Sequence, residues 1–199
     1  MKSRTACLAM LAACVVASPA RAEPPRSVDA RALDVAGVKT GMDYNEALQA
    51  AAKHFNVPTG QIKPDPFPGQ NIVTGTKLPT YFAYEKDGAK LTVHFEGRVP
   101  PDPTRPLVAW LIDYEVPWSK DNADAMAKAA VAKYGKPSNA PNTLPMQWCA
   151  QPSANPGIGC ANAQAALELS QVHMKLTDQA WQQARIAFVS KRTAVKPAF

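Results

Sequence analysis

His94, His173, Asp113 and Glu115 carry the side chains that acid-base or ligand chemistry would use. His94 stands in Val93-His94-Phe95 and His173 in Val172-His173-Met174, each flanked by apolar residues. Successive strand side chains point to opposite faces, so inward apolar flanks put both imidazoles outward. The plainer reading is an exposed polar residue on a sheet surface. The functional alternatives are ligand contact and, more remotely, acid-base or metal work. Asp113 and Glu115 share one face of a strand, with Cα atoms roughly 6.5–7 Å apart by the pleat alone. Paired carboxylates are what glycosidic hydrolysis needs, yet any two alternate acids would meet that spacing. A solvated strand face is the plainer account of them.

Other catalytic signatures are missing. None of the three histidines stands in a His-Glu-x-x-His arrangement, and there is neither a Gly-x-Ser-x-Gly elbow nor a phosphate-binding glycine loop. No metal and no cofactor is expected. Among the tryptophans, Trp110 falls on the more apolar side of its strand and is expected in the core. Trp148, one residue before Cys149, is expected to pack on a disulfide. Trp118, beside Pro117, is the one expected to be partly exposed, and it joins His94, His173, Asp113 and Glu115 as a candidate binding residue.

The elements that would hold these residues follow from periodicity. Tyr44, Ala47, Leu48, Ala51, Ala52 and Phe55 recur at helical spacing behind Asp43, with Glu46 completing an Asp-x-x-Glu capping box. Ala123, Met126, Ala127, Ala130 and Tyr134 repeat the pattern behind Asp121 or Asn122 as cap. Tyr81 to Lys86 and Ala89 to Glu96 flank Asp87-Gly88, the pair that favours a type I′ hairpin. Leu107 to Val116 reads as a third strand, with Val108, Trp110, Ile112, Tyr114 and Val116 on one face. Met146 to Cys149 and Leu167 to Leu176 read as further strands. For the last segment a short helical turn over Asp178 to Ala184 and a strand over Arg185 to Lys191 are expected.

Phe55-Asn56-Val57-Pro58 matches Tyr134-Gly135-Lys136-Pro137 at an offset of 79 residues, and that offset also lays Val93-His94-Phe95 on Val172-His173-Met174. Two coincidences at one offset predict an α+β fold made by tandem duplication of a helix plus antiparallel-sheet unit. The expected organisation is a signal peptide at 1–22, a flexible lead-in at 23–36, a first unit at 37–115 and a second at 116–195. A Pro-rich linker from Gly60 to Pro79 separates helix from strands in the first.

Lys2 and Arg4, the apolar run Ala6 to Ala17 and Ala20-Arg21-Ala22 before Glu23 have the form of an export signal. Leu11-Ala12-Ala13-Cys14 also fits the site at which bacterial lipoproteins are cut and acylated, although Val15-Val16-Ala17 continue the apolar run beyond it. Loss of residues 1–22 leaves 19 Lys and Arg against 16 Asp and Glu, a net +3 instead of +6. Most of that charge is C-terminal, and no basic stripe interleaved with aromatics marks a nucleic-acid binder. Membrane contact is expected only if Cys14 is acylated. Cys149 and Cys160 remain as an even pair around a Pro-, Gly- and Asn-containing loop, and a disulfide is expected in an oxidising compartment.

Gly41-Met42-Asp43-Tyr44-Asn45-Glu46-Ala47 resembles the Gly-Met-x-x-x-Glu-Ala lead into the first helix of small exported bacterial α+β modules, among them the secreted beta-lactamase-inhibitor proteins and small outer-membrane-assembly lipoproteins. The tandem arrangement resembles the inhibitors in particular, whose sheets form a concave protein-binding face. The resemblance bears on fold and compartment; together with the export signal, the expected disulfide, the tandem units and the missing catalytic set it leads to the expectation of a periplasmic or secreted, non-enzymatic module that binds another envelope or extracellular protein as an inhibitor, immunity or assembly factor. The alternative is a small hydrolase of cell-envelope polymers using His94 or His173 with a carboxylate.

Overall fold

A computed structural model describes residues 26–139, 143–155, 158–161 and 163–193. The expected signal segment with Cys14 and the tail after Thr193 lie outside them. Helix α1 (Tyr44–Phe55) begins as its sequence predicts: the Asp43 carboxylate accepts from the N–H groups of Asn45 and Glu46, and Glu46 returns the bond to the Asp43 N–H. It ends at Asn56, held left-handed at φ 53°. Among the described residues the strands are nine: β1 (Lys63–Pro64), β2 (Gly69–Gln70), β3 (Lys77–Leu78), β4 (Tyr81–Lys86), β5 (Ala89–Gly97), β6 (Leu107–Glu115), β7 (Met146–Cys149), β8 (Ala165–Ser170) and β9 (His173–Asp178). Helix α2 (Lys120–Tyr134) separates β6 from β7, and α3 (Gln179–Thr193) follows β9.

The fold is α+β. Seven strands form one antiparallel sheet in the order β1-β4-β5-β6-β9-β8-β7, and β2 and β3 make a separate hairpin. Phe82, Leu91, Val93, Ile112, Leu167, Leu169 and Leu176 are fully buried on the face covered by α1 and α2. Tyr44 of α1 packs edge-on to Phe82 and against Phe95, with ring centroids 5.7 and 5.0 Å away. At the β4–β5 turn, Asp87 and Gly88 both have positive φ, 52° and 78°, as a type I′ turn requires. A side chain at Gly88 would also strike the ring of Pro117, 2.6 Å from where its Cβ would lie.

Several expectations are corrected. The duplication at 79 residues is not shown: that offset lays β6 on α3 and sets His94, in the second strand of its meander, against His173, which opens the third. The segment 185–191 is helical: it continues α3, whose first turn is held by the Asp178 carboxylate accepting from the Ala180 N–H at 3.1 Å, and it is tied to the sheet by Arg185, 3.0 Å from Glu96 Oε2. Leu167 to Leu176 is a hairpin whose turn rests on Gln171 at φ 57°, a position without the usual Gly or Asn signal. Helix α2 is capped by Ser119, whose Oγ accepts from the Asn122 N–H at 3.0 Å, and not by Asp121 or Asn122.

The lead-in is not flexible where it is described. Ala30 and Val35 are buried, the Val28 N–H donates to Cys149 O at 2.7 Å, and Arg26 donates to the carbonyls of Tyr134 and Lys136. A chain without a long apolar run is still immobilised when its backbone donors meet an open strand edge.

Inside the Pro-rich linker, the buried Asp65 carboxylate accepts from the N–H of Phe67 and from both the N–H and the hydroxyl of Thr80, at 2.7–3.0 Å. These bonds hold its carboxyl below the usual carboxylate range. A lowered folded pKa adds stability above the ordinary carboxylate value that is lost as pH falls through the folded one. Asp65→Asn is therefore expected to melt below wild type at pH 7, with the gap closing below about pH 4; a pH series of thermal melts reads both.

Cys149 and Cys160 lie at bonding distance, S–S 2.10 Å, and close a loop of separation 11. Restricting so short a loop in the unfolded chain is worth about 3 kcal/mol. Reduction, or a Cys149→Ser/Cys160→Ser double variant, is expected to lower unfolding free energy by about that amount in denaturant titrations.

Candidate binding face

Pairing in the seven-stranded sheet fixes which side chains share the face away from α1 and α2. One row runs Lys90, Glu115, His173, Ser170; the next runs Ala83, Thr92, Asp113, Lys175, Glu168, Gln147; a third runs Tyr81, His94, Leu111, Thr177, Ala166. These residues alternate with the buried set, so an aliphatic core on one side requires a polar surface on the other. The candidates His94, His173, Asp113 and Glu115 therefore meet on one face, although their strands come from opposite halves of the chain.

His173 Nε2 contacts Asp113 Oδ1, its diagonal neighbour, while Glu115 lies directly across from His173 and 3.9 Å from Lys90 Nζ. His94 packs beside Tyr81, ring centroids 6.1 Å apart. Burial depresses its pKa below the ordinary histidine value, the Asp113 charge opposes that shift, and Lys175 adds to it. A depression of about 410 Å³ is lined by Tyr81, Thr92, His94, Asp113 and Glu115. It is open: the His173 and Asp113 side chains keep 35% and 24% of their exposure, and Lys90 and Glu115 are exposed. Among the described residues no group of three or more His, Cys, Asp or Glu is placed to hold a metal ion.

Trp118 is 72% exposed, with its indole N–H donated to Gln171 Oε1 at 3.1 Å, so it stands at the end of the face beside the β8–β9 turn. The two other tryptophan expectations change. Trp148 pairs with Leu167 on the helix side, packs on Tyr134 and donates to Gly135 O at 2.9 Å. The next residue, Cys149, necessarily points to the opposite side, so Trp148 does not cover the disulfide. Trp110 is the extra residue of a bulge: His94 pairs with Leu111 and Phe95 with Ala109, which leaves Trp110 without a partner. The bulge interrupts alternation, and Val108 shares the face of Glu96 while Ile112 lies in the main core.

Lys175, Glu168, Glu96 and Arg185 also belong to this side of the sheet and were missed. Lys175 follows His173 by two residues and alternation alone would have found it. Arg185 was hidden by the strand reading of its segment; on α3 its Nε reaches 3.0 Å from Glu96 Oε2.

The electrostatics around His94 give a signed test. A depressed folded pKa means the folded state loses stability as pH falls below about 6.5 and the neutral ring is forced to charge. The His94 ring, followed by NMR, is expected to titrate below that value, to move lower in Asp113→Asn and to move higher in Lys175→Met. Comparison of the chain with family models, with curated proteins and with solved structures finds no match, so its function rests on this geometry.

Proposed function

We propose that the chain is an exported protein-binding module of the inhibitor, immunity or envelope-assembly type, whose partner lies across the open rows from Lys90 to Gln147. The observation that carries this reading is a broad polar sheet face bearing Asp113, His173, Lys175 and Glu115, uncovered by any described helix at that end. Export is supported by the form of the first 22 residues and by the Cys149–Cys160 pair, which favours an oxidising compartment. Among the described residues no helix is long and apolar enough to cross a membrane. Trp118 supplies the large exposed aromatic that interfaces favour.

The hydrolase reading has one observation in its favour, the contact of His173 with Asp113. A histidine and carboxylate that perform acid-base catalysis work best where water is excluded, and this pair sits on an open surface.

The test compares capture by wild type, Thr92→Arg and Lys175→Glu, with Lys53→Glu on α1 as a control away from the face. The expected result is one envelope protein bound by wild type and by the control, and at least about tenfold more weakly by both face variants. Capture indifferent to the face variants would remove the proposal. Turnover of purified peptidoglycan that disappears in His173→Ala would replace it with the hydrolase.

A further inference from the structure

A second concavity, of about 460 Å³, lies beside the open face where the β2–β3 hairpin, β5, β6 and α3 converge. Its apolar wall is Ile72, Leu78 and Trp110; its polar wall is His94, Glu96 and Arg185. The bulge puts the Trp110 side chain here, and α3 carries Arg185 over the Glu96 carboxylate. Burial raises the Glu96 pKa while the Arg185 charge opposes it.

The chemistry of these walls restricts the occupant. Arg185 balances Glu96, and no other lining side chain except the histidine can carry a charge, so an ionic ligand would find no free counter-charge. A purely apolar ligand would strip water from groups that have no substitute partner. His94 and Trp110 make no side-chain hydrogen bond to the described chain. Arg185 Nε is buried 3.0 Å from Glu96 Oε2 with no hydrogen-bond partner among the described residues, so the ion pair does not fully satisfy the guanidinium. What satisfies both walls is a neutral ring with one apolar face and several hydroxyl or amide groups at its edge. The cavity is of small-molecule size, with room for about one or two sugar rings.

We propose that this cavity is a binding site for a neutral saccharide, its ring laid against Trp110 and its polar edge bonded by Glu96, Arg185 and His94. Protein recognition by the open face and saccharide recognition by the cavity are separate properties.

The test is an NMR titration of the ¹⁵N-labelled full chain with maltotriose and with triacetylchitotriose, using glucuronate and glucosamine as charged controls. The neutral sugars are expected to shift the Trp110 indole N–H and the backbone signals of Ile72, Glu96 and Arg185. Glu96→Gln and Ile72→Asp should each weaken binding at least about tenfold. Ile72 is exposed, so the thermal melt of its variant is expected to match wild type and to separate lost binding from lost folding. Lys53→Glu, on α1 and remote from the cavity, should leave the saccharide shifts in place. The proposal is overturned if neither neutral sugar moves the Trp110 signal at about 20 mM, well above a millimolar Kd. Shifts that map elsewhere, or equal binding of the charged sugars, overturn it too.

Discussion

Everything on both faces of the sheet depends on the pairing of β6 with β9, from Leu111 opposite Thr177 to Glu115 opposite His173. These strands are about 60 residues apart, so their union must offset the entropy of closing a long loop. The core supplies that: Ile112 faces Leu176 and Tyr114 faces Met174, with Ile112 and Leu176 fully buried. A slip of one residue would turn Asp113 and Lys175 inward and Ile112 out, which fixes the register sharply. The Asp113–His173 contact on the opposite face is a consequence of that register.

Coverage of the sheet is unequal, and the inequality creates the sites. The helices α1 and α2 lie over the apolar face. On the other side α3 lies over one end alone, where Arg185 meets Glu96 and Val108 is buried apart from the main core. One end of that side is thus an open polar surface, and the other a walled cavity. The bulge at Trp110 marks the division, since it changes which side chains of β6 face α3.

The exposed sheet edge is closed by chain that carries no strand pattern. The Cys149 carbonyl accepts from Val28, the Gln147 carbonyl accepts from the Ser138 N–H, and the N–H groups of Gln147 and Cys149 donate to the side chains of Asn139 and Ser138. Such an edge, left open, would be a template for pairing with another chain. Residues 26–36 therefore belong to the folded body, which a segment without a long apolar run or strand pattern did not reveal.

By itself the sequence determined what depends on neighbours a few residues apart. The Asp43–Glu46 capping box, the Asp87-Gly88 turn, the α+β class and the outward direction of His94 and His173 all follow from local period and turn chemistry. The Gln171 turn escaped because a left-handed glutamine has no compositional mark. Trp110 and the three-residue step from Ala109 to Ile112 escaped because a bulge is chosen by its partner strand. The apparent repeat at 79 residues compared helix ends and apolar triplets, features too common to specify topology. Tertiary structure decided the register of β6 on β9, the helical state of 185–191 and the side of the sheet on which α3 lies. Each of these is set by contacts between residues tens of positions apart, and short-range pattern carries no term for that energy.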